Sequence, residues 1–462
     1  MGAAVSSWRL ANAVARCGEL GVVSGTALDT VLVRRLQDGD LGGHARRAMA
    51  RFPLPRVAAE AASRFFKPEG RAAHEPYALL PMPRQVLGRA REELTMLAAF
   101  VEVHLAKEGH DGRVGINLLT KIQFPNLALL YGAMLAGVDC VLMGAGIPRE
   151  VPGALDGLAA HQPTAIRFDI EGATEPEWLR FDPREHFADA PTGLVRPDFL
   201  AIIASNSLAT MMARKATGRV DGFVIEGPTA GGHNAPPRGE PTWNERGEPL
   251  YGPRDAVELD RIAELGLPFW LAGGKGHPDD LRAARAAGAA GIQVGTLFAY
   301  CDESGLDADI KRNVLEHAAR GDVDVRTDAR ASPTGFPFKV VSWDGGRSPS
   351  RERERICDLG YLRTAYATAD GKVAYRCPSE PVENYVKSGG RIEDTEGRVC
   401  LCNGLLAAVG LGQPRNGGVE PPLVTSGDDL AILTRCLAGR TSYTAADVLT
   451  YLLGREPASL AR

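Results

Sequence analysis

The sequence has few cysteines and little net charge, and it lacks any long apolar run. Eight cysteines in 462 residues are too sparse for a disulfide scaffold. A formal net charge of −4 at pH 7 offers no basic stripe for nucleic acid. No apolar run reaches the length of a membrane span, and the N-terminus lacks the apolar core of a secretory signal. We therefore expect a cytoplasmic protein with neither a nucleic-acid partner nor a membrane partner.

The remaining composition is that of an ordinary globular protein. Apolar residues make up 44% of the chain and charged residues 24%, which is typical of soluble domains. A chain of 462 residues is long enough to bury a full-sized core and to carry more than one structural unit.

Short apolar runs recur through the first 300 residues and predict strands. There are eight, at Leu20–Ser24, Val114–Leu118, Val138–Met143, Ala165–Ile170, Leu200–Ala204, Gly222–Ile225, Phe269–Ala272 and Ile292–Val294. Amphipathic stretches between them predict helices, most clearly at Leu127–Ala136, Ser207–Lys215, Ala256–Leu265 and Asp279–Ala287. This alternation predicts an α/β fold of the TIM (β/α)8 barrel type. An open doubly wound sheet is the alternative.

Two regions depart from the alternation and suggest the division of the chain. Residues of roughly 26 to 113 are too many for one crossover, and they include predicted helices at Leu28–Leu36 and Glu92–Lys107. We therefore expect a long insertion at about 38–95. Beyond residue 310 the alternation stops, and the chain becomes rich in Arg, Gly, Pro and Cys. We therefore expect a barrel over residues 1–310 and a C-terminal appendage, with no role assigned to it, over 311–462.

Glycine-rich turns follow three of the predicted strands. Gly273-Gly274 and Gly295-Thr296 suit a phosphate cradle, because glycine lets backbone N–H groups approach an anion; the alternative is tight turns without a ligand. His233, which follows Gly231-Gly232, is a candidate to take a proton from a carbon acid. Its alternative role is a structural hydrogen bond.

Polar residues at two other strand ends are further candidates. Asn117 offers an amide donor and acceptor for the edge of a flat heterocycle. Lys121 is either a positive charge near such a ring or a solvated helix residue. Glu226, at the end of its strand, either orients a ligand or pairs with an arginine. The segment Ser332–Val340 is predicted to be either an ordered loop returning over the barrel mouth or a surface linker.

Together these motifs resemble the nitronate monooxygenase (2-nitropropane dioxygenase-like) family, whose relatives include FMN-dependent enoyl-ACP reductases. The resemblance rests on Gly115-Ile116-Asn117, Gly144-Ala145-Gly146, Glu226, Ala230-Gly231-Gly232-His233, Ala272-Gly273-Gly274 and Gln293-Val294-Gly295-Thr296, in that order. It implies an FMN-binding barrel in which Asn117 and Glu226 contact the flavin. It also implies that Gly231, Gly274, Gln293, Val294, Gly295 and Thr296 hold the isoalloxazine edge, ribityl chain and phosphate, and that His233 is the base or positions the substrate.

The resemblance thus implies an FMN-dependent oxidoreductase that oxidises a nitronate or similar carbon acid with O2 and a histidine base. Three alternatives stay open: an NAD(P)H-dependent FMN reductase of an activated double bond, a flavin-free lyase or isomerase acting on a phosphorylated substrate, and a binding or scaffold protein. For each of the enzyme functions the expected partner is a small-molecule substrate, with O2 or NAD(P)H as a possible second one. A homo-oligomer is also possible.

Four of the cysteines crowd into the last quarter of the chain, at Cys357, Cys377, Cys400 and Cys402. Four thiolates suffice for a zinc ion or an iron–sulfur cluster. Their spacing matches no standard metal-binding run, so buried free thiols are the alternative.

Overall fold

The computed structural model describes residues 2–343 and 353–454. The helices are α1 Trp8–Arg16, α2 Leu28–Gln37, α3 His44–Met49, α4 Pro55–Phe65, α5 Arg89–Ala106, α6 Asn126–Leu135, α7 Val151–Ala159, α8 Asn206–Lys215, α9 Leu259–Ala263, α10 Pro278–Ala286, α11 Thr296–Ala299, α12 Ala308–Arg320, α13 Val382–Lys387, α14 Leu401–Ala407, α15 Leu433–Leu437 and α16 Ala445–Leu453. The strands are β1 Gly21–Ser24, β2 Val114–Leu119, β3 Cys140–Gly144, β4 Thr164–Phe168, β5 Ile170–Glu171, β6 Glu177–Phe181, β7 Asp198–Ile203, β8 Gly222–Glu226, β9 Phe269–Ala272, β10 Gly291–Gln293, β11 Val323–Asp328, β12 Phe338–Trp343, β13 Thr364–Ala367, β14 Val373–Arg376, β15 Pro414–Arg415 and β16 Gly418–Val419.

The centre of the fold is a seven-stranded parallel sheet in the order β1-β2-β3-β7-β8-β9-β10. The sheet is strongly curved, since Val22 on β1, Leu142 on β3 and Trp270 on β9 belong to one apolar cluster on its concave face. The strands are short and largely buried, as parallel strands covered on both faces must be. Their carboxyl ends therefore meet at one edge of the curved sheet.

The predicted eight-stranded closed barrel is wrong in its strand count. The run predicted as the fourth barrel strand forms β4, which pairs antiparallel with β6 outside the central sheet, while β3 pairs directly with β7. The reason lies in the burial of β4: Ile166 and Phe168 are buried, but Arg167 between them is exposed. A strand with one exposed face cannot occupy a position that is covered on both faces. Within the described residues the sheet also stays open, because no ladder joins β10 to β1.

The other predicted elements lie where the sequence places them. Seven of the eight predicted strands form the central sheet, and the four clearest predicted helices correspond to α6, α8, α9 and α10. The region predicted as an insertion contributes α3, α4 and the start of α5. The long helix α5 packs against α2 and α6, which places the insertion on the outer face of the sheet.

The C-terminal part of the chain shares a core with the first 300 residues. Leu10 on α1 and Leu297 on α11 belong to the same buried cluster as Leu433 on α15 and Val448 on α16. The helix α12 runs across residue 310. Shared burial of this kind ties the appendage to the end of the sheet where the glycine turns lie. Among the described residues, no helix has the length and apolar character needed to cross a membrane.

Candidate functional site

A cavity of about 400 Å³ opens at the carboxyl ends of β8, β9 and β10, a size typical of small-molecule sites. Its lining includes seven of the eight residues that the sequence assigns to cofactor binding, namely Glu226, Gly231, Gly274, Gln293, Val294, Gly295 and Thr296. Asn117, the eighth, does not line it; that residue is buried on β2, level with Ser24 and Leu142 on the neighbouring strands. The structure therefore collects the predicted residues from three separate strand ends around one space.

Two kinds of glycine position occur at this edge: the left-handed turn at Gly273-Gly274 and the open backbone at Gly295. Gly273 and Gly274 have φ angles of +85° and +60°, which disfavour any side chain there. A Cβ added at Gly295 would meet no atom within 4 Å, so the backbone before α11 faces open space in the cavity. Such turns suit the phosphate end of a nucleotide-like cofactor, because backbone N–H groups can reach an anion without obstruction. The residues present thus fit a group such as FMN.

Lys121 and Glu226, two partly buried residues of opposite charge type, interact electrostatically, and Glu226 lines the cavity. Lys121 follows β2, and its Nζ is buried with no hydrogen-bond partner in the described chain. Burial lowers the pKa of Lys121 to about 7, against an opposing effect of the Glu226 carboxylate. Burial likewise raises the pKa of Glu226 well above the usual range of a carboxylic acid, opposed by Lys121. Both groups therefore change protonation near neutral pH.

The segment Ser332–Val340 returns over the mouth of the sheet, as one of its two predicted placements required. Phe336 lies with its ring centroid 3.1 Å from Lys121 Nζ. Phe338 pairs with His233 through a β-bridge and places its ring 4.9 Å from the imidazole. This segment therefore covers both candidate proton-handling groups.

His233 is held as a neutral imidazole. Its Nε2 lies 2.7 Å from Ser332 Oγ and 3.3 Å from Thr334 Oγ1. Burial, together with the nearby positive charge of Lys121, lowers the pKa of His233 to about 3. A histidine in this setting hydrogen-bonds well but is a weak base at neutral pH.

Sequence reasoning missed a second wall of the cavity, which the appendage supplies. Residues Leu423–Asp429 line the space opposite the glycine turns. Gly232 N–H donates to Thr425 Oγ1 at 2.8 Å, and Gly427 N–H donates to Thr296 Oγ1 at 3.1 Å. The signal was present: an apolar Leu-Val pair followed by Thr-Ser-Gly-Asp resembles the other strand-end turns. It lies outside the strand–helix alternation, so that alternation does not predict it.

The four C-terminal cysteines come together, but not as a metal centre. Cys357, Cys377, Cys400 and Cys402 line one small pocket. Among the described residues, no group of three or more His, Cys, Asp or Glu side chains is arranged to hold a metal ion. A hydrogen bond from Cys402 lowers the pKa of Cys400 to about 7, whereas burial raises that of Cys357 to about 12. None of the eight cysteines forms a disulfide. The predicted zinc or iron–sulfur site is not supported, because the described residues contain no suitable group of ligands.

Comparison with known proteins adds to this geometry. Residues 187–332 match the nitronate monooxygenase family. A curated relative from Mycobacterium tuberculosis (strain ATCC 25618 / H37Rv), the (3aS,4S,5R,7aS)-5-hydroxy-7a-methyl-1-oxo-octahydro-1H-indene-4-carboxyl-CoA dehydrogenase, is 31% identical over 229 residues, which is 46% of this chain. The aligned region spans 59% of the length of that relative.

Solved structures with a similar chain trace include those of three proteins. FabK from Thermotoga maritima aligns with a TM-score of 0.45 and 16% identity over 97% of this chain and 88% of its own. Nitroalkane oxidase from Streptomyces ansochromogenes aligns with a TM-score of 0.45 and 14% identity over 98% of this chain and 93% of its own. The enoyl reductase domain of MlnA from Bacillus amyloliquefaciens aligns with a TM-score of 0.43 and 13% identity over 78% of this chain and 84% of its own.

The matched segment contains Glu226, the Gly-Gly-His turn and both glycine motifs of the cavity. The resemblance predicted from the sequence is thereby confirmed for residues 187–332, which are similar to the nitronate monooxygenase family.

Proposed function

We propose that this protein is an FMN-dependent oxidoreductase whose flavin lies in the cavity at the carboxyl ends of β8, β9 and β10. The observation that carries the proposal is the open space beside Gly295, flanked by the left-handed turn at Gly273-Gly274. Three separate strand ends supply the lining around it. When bound there, FMN would supply the redox chemistry, and the protein would position and shield the reactants.

Different residues of the chain would bind the cofactor, contact the substrate and exclude water. The backbone before α11 and the turn at Gly274 would hold the phosphate. Glu226 lines the cavity, and the charge of its carboxyl group is balanced by Lys121. His233, kept neutral by burial, would hydrogen-bond to the substrate rather than store a proton. Phe336 and Phe338 would exclude water from this side of the site.

For the substrate we propose a nitronate or a similar carbon acid in its anionic form, oxidised with O2. Lys121 Nζ is buried without a hydrogen-bond partner among the described residues, and a buried ammonium group stabilises an anion placed beside it. An anion that arrives already deprotonated requires no strong base, which agrees with the low pKa of His233. A neutral nitroalkane would be a poorer substrate for the same reason.

A second candidate is a reductase or dehydrogenase that uses NAD(P)H or NAD(P)+ and acts on an acyl thioester. The curated relative is named as a dehydrogenase of a carboxyl-CoA compound. In addition, the cavity is lined on one side by apolar residues such as Leu142, Leu200 and Trp270. An apolar wall suits a hydrocarbon group better than a small nitronate.

The first experiment is an absorption spectrum of the purified protein, with the chromophore released by heat and identified. Two flavin bands and free FMN support the proposal. Colourless protein that takes up no added FMN overturns it and favours a flavin-free lyase or isomerase. O2 uptake with nitronates then supports the first substrate class, whereas rapid anaerobic bleaching of the flavin by NAD(P)H supports the second.

A further inference from the structure

A turn of the appendage, Thr425–Asp428, is bonded directly to the loops that form the cavity. Thr425 Oγ1 accepts the N–H of Gly232 at 2.8 Å, and the N–H of Asp428 donates to Thr229 O at 3.3 Å. Both bonds reach the loop that follows β8. The N–H of Gly427 donates to Thr296 Oγ1 at 3.1 Å, which reaches the start of α11. The turn therefore bridges two strand ends that are far apart in the sequence.

The contact between the turn and these loops is a backbone contact. A Cβ added at Gly231 would lie 2.7 Å from the carbonyl carbon of Ser426, and one added at Gly427 would lie 2.9 Å from Thr296 Oγ1. Distances this short leave no space for a side chain at either position. The turn is thus a fixed wall of the cavity, not a loop lying over it.

The carboxylates of Asp428 and of the next residue, Asp429, lie against side chains outside the turn. Lys339 is only 2% exposed, and its Nζ donates to Asp428 Oδ1 at 2.5 Å and to Thr327 Oγ1 at 2.7 Å. Asp429 lies 3.4 Å from His277 Nε2. The negative charge of Asp428 is therefore balanced by Lys339, which permits an anion on the other side of the turn.

Two hydroxyl groups remain to serve a ligand. Ser426 is 4% exposed and lines the cavity. Its Oγ makes no hydrogen bond of regular geometry in the described chain, and its one polar side-chain neighbour there is the buried hydroxyl of Tyr300, which lies close enough for a weak hydrogen bond. Thr296 Oγ1 accepts from Gly427, which leaves its own O–H free to donate. Buried hydroxyls without partners are costly unless a ligand satisfies them.

We propose that the turn of the appendage completes the phosphate site, with Ser426 donating to a phosphate oxygen and Gly427 orienting the hydroxyl of Thr296 toward the same group. This inference rests on the proposed FMN site and adds a binding residue that lies outside the matched family segment. It gives the appendage a role in holding the ligand. An N–H of Gly427 directed at Thr296 makes that hydroxyl a donor, which is the role that a phosphate dianion requires.

The test compares FMN with riboflavin, which differs from it by the phosphate alone. Dissociation constants for both are measured on the flavin-free protein by quenching of flavin fluorescence, for the wild type and Ser426→Ala. We expect Ser426→Ala to weaken FMN at least tenfold, because a hydrogen bond to a charged group contributes about 1.5–3 kcal/mol and 1.4 kcal/mol is a factor of ten. Riboflavin affinity should change less than about twofold.

The matched control is Ser379→Ala, since Ser379 is another buried serine of the appendage, whose Oγ donates to Val399 O at 2.9 Å away from this cavity. It should leave both affinities unchanged. Ser426→Gly removes the same hydroxyl and serves if the alanine variant does not fold. Equal FMN affinity in Ser426→Ala and the wild type overturns this proposal alone, as does equal weakening of FMN and riboflavin. A wild type that binds neither flavin overturns the proposed function itself.

Discussion

His233 Nε2 lies 2.7 Å from Ser332 Oγ. A residue of the appendage therefore hydrogen-bonds to the imidazole of His233, which lies in the loop after β8. The second hydroxyl near this nitrogen, Thr334 Oγ1, lies at 3.3 Å. The ring is also fixed by the β-bridge to Phe338. The orientation of His233 therefore depends on the C-terminal part of the chain as much as on the sheet that carries it.

Ser332→Ala should lower kcat about tenfold while leaving FMN affinity unchanged. The variant removes the shorter hydrogen bond of His233, and an imidazole released from its orientation loses the alignment that catalysis needs. Steady-state kinetics and flavin titration measure the two effects separately. Thr334→Val is the control, and it should act more weakly because its bond is longer. Equal kcat in Ser332→Ala and the wild type would show that the hydrogen bond does not position His233.

The pH dependence of activity should reflect Lys121 and not His233. The pKa of Lys121 is lowered to about 7, so its ammonium form, which would attract an anionic substrate, is lost as pH rises through neutrality. His233, with a pKa of about 3, stays neutral above pH 5, so it causes no change of kcat/KM with pH in that range. We expect kcat/KM to fall with rising pH near 7. The part of this decrease that Lys121 causes should disappear in Lys121→Arg, which stays charged, while the part caused by ionisation of Glu226, whose pKa is raised to about 7, should remain. If kcat/KM decreases near pH 7 in Lys121→Arg as it does in the wild type, Lys121 is not the group that causes the decrease.

The stability of the flavin-free protein should fall in acid partly because of His233. The unfolded chain binds a proton at this histidine below its ordinary pKa near 6.5, whereas the folded chain does so only near 3. Between these values the unfolded state holds more protons, so stability decreases as pH falls. Urea unfolding at pH 7.5 and 5.0 should show a larger loss for the wild type than for His233→Asn. Lys121 and Glu226 are present in both proteins, and identical losses would show that His233 is not buried as described.

The parts of the site that local patterns encode were predictable from the sequence. Gly231, Gly274 and Gly295 each follow an apolar run that could only be a buried strand, so their meeting at one edge follows from parallel packing. The displacement of β4 was not predictable in the same way, because it depends on a partner strand, β6, that gives no clear signal alone. The wall formed by Ser426 depends on tertiary contacts across almost two hundred residues, from Gly232 to Thr425, which no local pattern records.

Two glycine-to-alanine substitutions should separate the fold from the site. At Gly231 a Cβ would lie 2.7 Å from the backbone of Ser426, so Gly231→Ala must push the appendage away from the loop after β8. Overpacking of this kind costs about 1–3 kcal/mol, and we expect a lower melting temperature of the flavin-free protein. At Gly295 a Cβ meets nothing within 4 Å, and its φ of −112° is open to alanine. Gly295→Ala should therefore melt like the wild type yet bind FMN more weakly, because its methyl group occupies space that the ligand needs. Thermal unfolding and flavin titration of both variants check the pair, and a Gly295→Ala protein with wild-type FMN affinity would place the ligand elsewhere in the cavity.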